Sequence, residues 1–193
     1  MHDKELESYC PGSREDWRNW LEANHLSRRS VWLVYYKTSA NVASVTWSEA
    51  VEEALCFGWI DSTKKTIDHE RYMQYFSSRN PKSTWSRINK EKVEMLIQNN
   101  RMTKTGFESI EVARQNGTWY IMDEVEDGVI PGDLRTELVN HEKALDFFQS
   151  QPKSIQKGML HWVVTARRTE TRKKRIAEIA RSASKCIRPK GFR

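Results

Sequence analysis

The sequence predicts an α+β fold: a small three-stranded antiparallel sheet packed with helices, followed by a mostly helical C-terminal portion. Three observations predict it. "VWLVYYK" (31–37) is a compact β-branched and aromatic run that reads as a strand. "WIDSTKKTID" and "RYMQYFSSR" alternate with period two around the polar turn "DHE", which reads as a β-hairpin. From Pro81 onward the apolar residues recur at helical spacing.

In chain order, Ser13 followed three residues later by Asp16 opens a helix, with Trp17, Trp20 and Leu21 on one face and an end near Asn24. The strand 31–37 follows, expected at the centre of the sheet. Thr46 and Glu49 form a T-x-x-E capping box, after which Trp47, Ala50, Val51, Ala54 and Leu55 keep an i, i+3, i+4 rhythm. That helix is expected to stop at Gly58, where glycine takes the left-handed cap without a Cβ clash. The hairpin comes next. Ser86 caps a helix carrying Ile88, Val93, Met95, Leu96 and Ile97, and Thr103 starts another with Phe107, Ile110 and Ala113 inward, closing at Gly117. "TWYIMDEVEDGVIPGD" breaks the periodicity and marks a boundary. Residues 1–120 are expected to form the α+β body, and 121–193 a helical extension packed on it and ending in a basic helix. In that extension Leu134, Leu138, Leu145 and Phe148 share one helix face. Ser154 caps a later helix bearing Ile155, Met159, Trp162, Val163 and Ala166.

At 193 residues the chain can bury a core without disulfides or metal. Three widely spaced cysteines, Cys10, Cys56 and Cys186, suit a reducing compartment. No stretch approaches the roughly 20 apolar residues that span a bilayer, and no basic-then-apolar leader opens the chain. A cytoplasmic location is therefore expected. The net charge of +6 is unevenly spread: thirteen basic residues face two glutamates from Lys153 on, whereas the preceding 152 residues carry 19 basic and 24 acidic groups.

Five segments, "SVWLVYYKT", "TWSEAVEEALCFGWIDS", "FSSRNPKSTWSRINKEKVEML", "RMTKTGFESIEVAR" and "TARRTETRKKRI", together resemble the YdeI/OmpD-associated, or bacteriocin-protection, family, over about Ser13 to Ala183. The resemblance implies a link to resistance against peptide antibiotics. It attaches no reaction, and it implies that the basic terminal helix is a family trait.

"ALCFGWID" (54–61) raises the question of a nucleophile. Cys56 sits at a helix C-terminus, where the negative dipole end raises a thiol pKa, and no histidine is near in sequence. A small buried hydrophobe is the better reading. Asp61 is either a turn or edge residue, or a buried carboxylate that needs a partner. A hairpin turning near residues 68–70 pairs positions whose numbers sum to about 138 to 140, which sets Asp61 beside Arg79. Around the following junction, Arg79, Lys82, Ser83, Trp85 and Asn89 suit a small anionic molecule or peptide at a helix N-terminus, with Trp59 and Trp85 as walls and Lys37 reaching in. Ordinary capping by Ser83 or Ser86 is the plain alternative.

An anion-binding module is thus the leading expectation, tied by the resemblance to stress or antimicrobial-peptide tolerance. Two alternatives stand beside it. One is an enzyme using Asp61 with Arg79. The other is nucleic-acid association through Arg167, Arg168, Arg172, Lys174 and Arg175, with no aromatic residues interleaved for base stacking. The five histidines never fall at metal-ligand spacing, and neither G-x-G-x-x-G, a Walker loop nor G-x-S-x-G occurs, so no metal or cofactor is expected.

Overall fold

A computed structural model describes residues 7–192, which divide into two compact units, 7–119 and 120–192. The first unit contains β1 (Ser8–Tyr9), α1 (Arg14–Asn24), β2 (Ser30–Tyr36), α2 (Trp47–Cys56), β3 (Trp59–Thr66), β4 (Arg71–Ser78), α3 (Arg87–Gln98) and α4 (Lys104–Gln115). Its sheet has four strands in the order β1-β2-β4-β3, with β1 parallel to β2 and the other pairs antiparallel. The expected three-stranded antiparallel sheet is therefore corrected to a mixed one. β1 is two residues long, too short to show a period, and it is recruited by pairing: Trp32 N–H donates to Glu7 O at 2.9 Å.

The first helices start where the side chains said they would. Ser13 Oγ accepts from Asp16 N–H, and at α2 the Thr46–Glu49 capping box is complete in both directions. Trp17 and Leu21 of α1 are fully buried, and the Trp17 indole donates to the Ala50 carbonyl of α2 at 3.0 Å. Val31, Leu33 and Tyr35 of β2 pair with Phe76, Gln74 and Tyr72 of β4, which sets one sheet face against these helices. Each large side chain buried there stabilises the fold by about 1.5–3 kcal/mol.

Gly58 ends α2 with φ +70°, and a β-carbon on it would come within 3.0 Å of the Thr105 carbonyl. Both the turn and the close approach of α4 require glycine. The helix phases differ in places from those expected. Ile88 and Met95 of α3 are exposed, as is Phe107 of α4, while Gly106, Ile110 and Ala113 face inward. Trp47 is also half-exposed.

Beneath α1 and α2 lies a charge cluster that local periodicity does not reveal. Glu53 is wholly buried and accepts from Arg14 Nε (2.5 Å), Arg18 Nη1 (2.6 Å) and Arg101 Nη2 (2.7 Å). Burial raises its pKa, but the three guanidinium hydrogen bonds together outweigh that and hold the carboxyl below its ordinary value.

The second unit consists of α5 (Ile121–Glu126), α6 (Gly132–Val139), α7 (Ala144–Ser150), α8 (Lys153–Val164) and α9 (Thr169–Ser184). The stretch expected to be irregular carries α5. The single helix expected through Leu134 to Phe148 is two helices, because the chain turns at Lys143 with φ +63°. Ser154 is inside α8, whose cap position is Pro152. Leu134, Leu138, Phe148, Leu160 and Val163 join Ile176, Ile179 and Ala180 of α9 in a separate core.

Candidate functional site

The hairpin decides what meets Arg79. β3 and β4 pair with position sums of 137 at the base and 138 beyond an irregularity between Asp61 and Lys64. Asp61 therefore faces Phe76, whereas Arg79 has passed the strand end and donates its backbone N–H to Gly58 O at 2.9 Å. The expected side-by-side pair of Asp61 and Arg79 does not form. The carboxylate of Asp61 accepts from Trp47 Nε1 at 3.0 Å and from Gln74 Nε2, and its charge reaches Arg79 only through space.

Arg79 is the unusual group. Its guanidinium carbon lies 3.6 Å from the centroid of the Trp85 ring, and Nη2 donates to Thr84 O at 2.7 Å. Nε and Nη1 are closed to solvent and have no hydrogen-bond acceptor within the described protein. Burial pulls its pKa down to about 10, with the distant Asp61 charge opposing, so it stays cationic at neutral pH. Trp85 is itself 1% exposed and packs on Trp119 at 4.9 Å, which fixes the platform.

Beside this pair opens a cleft of about 150 Å³ between the β4–α3 loop and α4, lined by Arg79, Asn80, Pro81, Trp85, Glu108, Ser109, Val112 and Ala113. Its walls are mostly apolar. Glu108 is exposed, and among the described residues its ion pair is with Lys104 Nζ, at 3.8 Å.

Of the residues expected to bind, Arg79 and Trp85 line this cleft and the others lie elsewhere. Trp59 is core: 1% exposed, edge-on to Trp20, its indole donating to His25 O at 3.4 Å. Lys37 lies in a different groove with Trp47 and Tyr72, and its ammonium donates to the carbonyls of Asp68 and His69. Lys82 and Ser83 belong to a turn organised by Asn80, which accepts from Lys82 N–H and Ser83 Oγ. Asn89 N–H donates to Ser86 Oγ, so this helix start carries ordinary capping.

The α4 residues Glu108, Ser109, Val112 and Ala113 were not foreseen. The available signal was Gly106, a glycine inside a helical pattern, which marks a close backbone approach. An added β-carbon there would stand 2.2 Å from Cys56 O. Cys56 itself is fully buried, its thiol pushed up to about 11 by burial and by Glu53, with Arg18 and Arg101 opposing. It has the character of a packing residue.

The basic helix divides in two. Arg172 makes a two-pronged ion pair with Asp133 (2.6 and 2.8 Å) and reaches Val163 O, while Arg175 donates to Trp162 O at 2.5 Å. These two tie α9 to Asp133 of α6 and to carbonyls of α8. Arg167, Arg168 and Lys174 are exposed.

Comparison with protein families found two matches. Residues 9–109, more than half of the chain, match the family described as Domain of unknown function (DUF8412). The chain belongs to that family. The DUF8412 region holds α1, β2 through β4, α3 and the Arg79–Trp85 platform. Residues 127–185 match the family described as Bacteriocin-protection, YdeI or OmpD-Associated. The resemblance read from sequence over Ser13–Ala183 is thus divided: "TARRTETRKKRI" lies in the bacteriocin-protection match, and the other four segments begin in the DUF8412 region. Comparison with the curated proteins and with the solved structures found no significant match. No helix among the described residues is long and apolar enough to cross a membrane.

Proposed function

We propose that the first unit is a binding module for a small anionic molecule, held in the cleft between the β4–α3 loop and α4 by Arg79. One observation carries the reading. A guanidinium stacked on Trp85 at 3.6 Å, whose Nε and Nη1 lack a hydrogen-bond acceptor and are shut from solvent, belongs to a residue that lines an apolar cleft. A buried donor left unmatched costs about 1–3 kcal/mol, and an oxygen anion brought to it would recover that cost. The planar fork suits a carboxylate, and the low-polarity walls strengthen the attraction. The match of residues 127–185 supports a bacteriocin-protection-like role for the protein, and we place that role in the cytoplasm, in tolerance to stress or to antimicrobial peptides.

The test is a thermal-shift panel of carboxylates and phosphates on the full chain and on Arg79→Lys and Arg79→Ala. Stabilisation by carboxylates that is weakened in the first variant and lost in the second supports the reading. A panel with no response, or one indifferent to both variants, overturns it.

A second reading rests on the exposed Arg167, Arg168 and Lys174: association with a polyanion such as nucleic acid through the N-terminal end of α9 and the residues just before it.

A further inference from the structure

The cleft that holds Arg79 carries a second charged group of opposite sign. Glu108 lies on its lining together with Val112, Ala113, Pro81 and Trp85. The carboxylate is exposed on the outer part of α4, and its Lys104 partner is itself 90% exposed at 3.8 Å, a contact too long and too wet to hold it. Glu108 also borders a neighbouring groove with Phe107 and Arg114, so its carboxylate stands at an edge of the cleft in contact with water. The site therefore presents a guanidinium on an aromatic platform, a carboxylate at the rim, and apolar surface joining them.

We infer that the ligand is a small zwitterion, an α-amino acid with an apolar side chain, its carboxylate on Arg79 and its ammonium on Glu108. This rests on the anion-binding reading of the same cleft and adds the second charge and the size. A cleft of about 150 Å³ takes on the order of ten water-sized groups, about the size of leucine, valine or methionine. Val112, Ala113 and Pro81 supply the contact for the side chain, and Ser109, whose hydroxyl donates to Gly106 O at 2.8 Å, carries no charge to attract an ammonium as Glu108 does.

The experiment compares three probes on the full chain by titration calorimetry: L-leucine, 4-methylpentanoate, which lacks the amine, and isopentylamine, which lacks the carboxylate. Leucine is expected to bind at least tenfold more tightly than either analogue. Glu108→Gln, a substitution on an exposed helix position, is expected to remove the preference for leucine over 4-methylpentanoate while retaining carboxylate binding. Equal affinity for leucine and 4-methylpentanoate, unchanged by Glu108→Gln, overturns the amino-acid assignment and leaves the carboxylate site standing. Failure of both carboxylates to bind, with wild type and Arg79→Ala indistinguishable, overturns the underlying site as well.

Discussion

Gly106 and Cys56 meet backbone to backbone: a β-carbon on the glycine would stand 2.2 Å from the Cys56 carbonyl oxygen and 2.9 Å from its carbonyl carbon. Around this contact Thr103 donates twice to the same oxygen, from N–H at 3.1 Å and from Oγ1 at 2.6 Å. The end of α2 and the start of α4 are thereby clamped, and α4 is aimed along the cleft.

Gly106→Ala cannot be absorbed by a flexible side chain alone, because the obstacle is main chain. It is expected to destabilise the protein by about 1–3 kcal/mol and to displace α4. Urea denaturation reads the first effect, and a weakened carboxylate response in the thermal-shift panel reads the second. Wild-type stability with an unchanged panel would show that the clamp does not set the cleft.

Glu53 governs acid stability. Its folded-state pKa is held below the ordinary 4.5 despite burial. The stabilisation it confers is complete above the unfolded value and is lost as pH falls through the lower folded value. Glu53→Gln leaves Arg14, Arg18 and Arg101 facing a neutral amide and is expected to cost about 3–5 kcal/mol at neutral pH. The variant's stability should also fall less steeply on acidification, measured by denaturation at a series of pH values from 7 to 3. An acid limb as steep as that of the wild type would assign the dependence to other carboxyls.

How far the sequence foretold this arrangement depends on how local the cause was. The capping box at Thr46–Glu49, the stop at Gly58 and the hairpin turn were all legible because each is decided by neighbours in the chain. β1 was not, since its two residues acquire meaning only beside Trp32 and Leu33. Of the proposed site, Arg79 and Trp85 were legible as polar and aromatic residues at a loop-to-helix junction. Their α4 neighbours were hidden, because a helix 25 residues further on contributes only through the clamp at Gly106. The Asp61–Arg79 pairing failed for a narrower reason. A register one step below the expected range, together with the irregularity after Asp61, is enough to move a charge to a different partner.

Thiol reactivity should separate the three cysteines. Cys10 and Cys186 are exposed, while Cys56 is buried with its thiol near pKa 11. A disulfide reagent at pH 8 is expected to modify two thiols in the native protein and a third only in denaturant. Rapid native modification of Cys56 would reopen it as a nucleophile.

The basic helix should show two kinds of arginine. Arg172→Ala removes the Asp133 pair and the Val163 contact, and is expected to lower stability by about 0.5–1 kcal/mol, the partly exposed pair being screened. A joint Arg167→Glu and Arg168→Glu change is expected to leave the melting temperature within error. If α9 serves a polyanion, the joint change also reduces the salt slope of DNA binding, read by fluorescence anisotropy between 50 and 200 mM salt. An identical slope in wild type and variant would dismiss that face.

The outer strand of the hairpin bears on how the protein behaves at high concentration. β3 is eight residues long and ends the sheet, with most of its length open to water. A straight ladder of free N–H and C=O groups there would offer a template to any second chain with a matching strand. The irregular step after Asp61 interrupts that ladder, and Lys64 and Lys65 put charge on both faces of the sheet beside the open edge, their ammonium groups lying over Tyr72 and Trp32. The irregular step beside Asp61 thus blunts the sheet edge as a template for neighbouring copies of this protein.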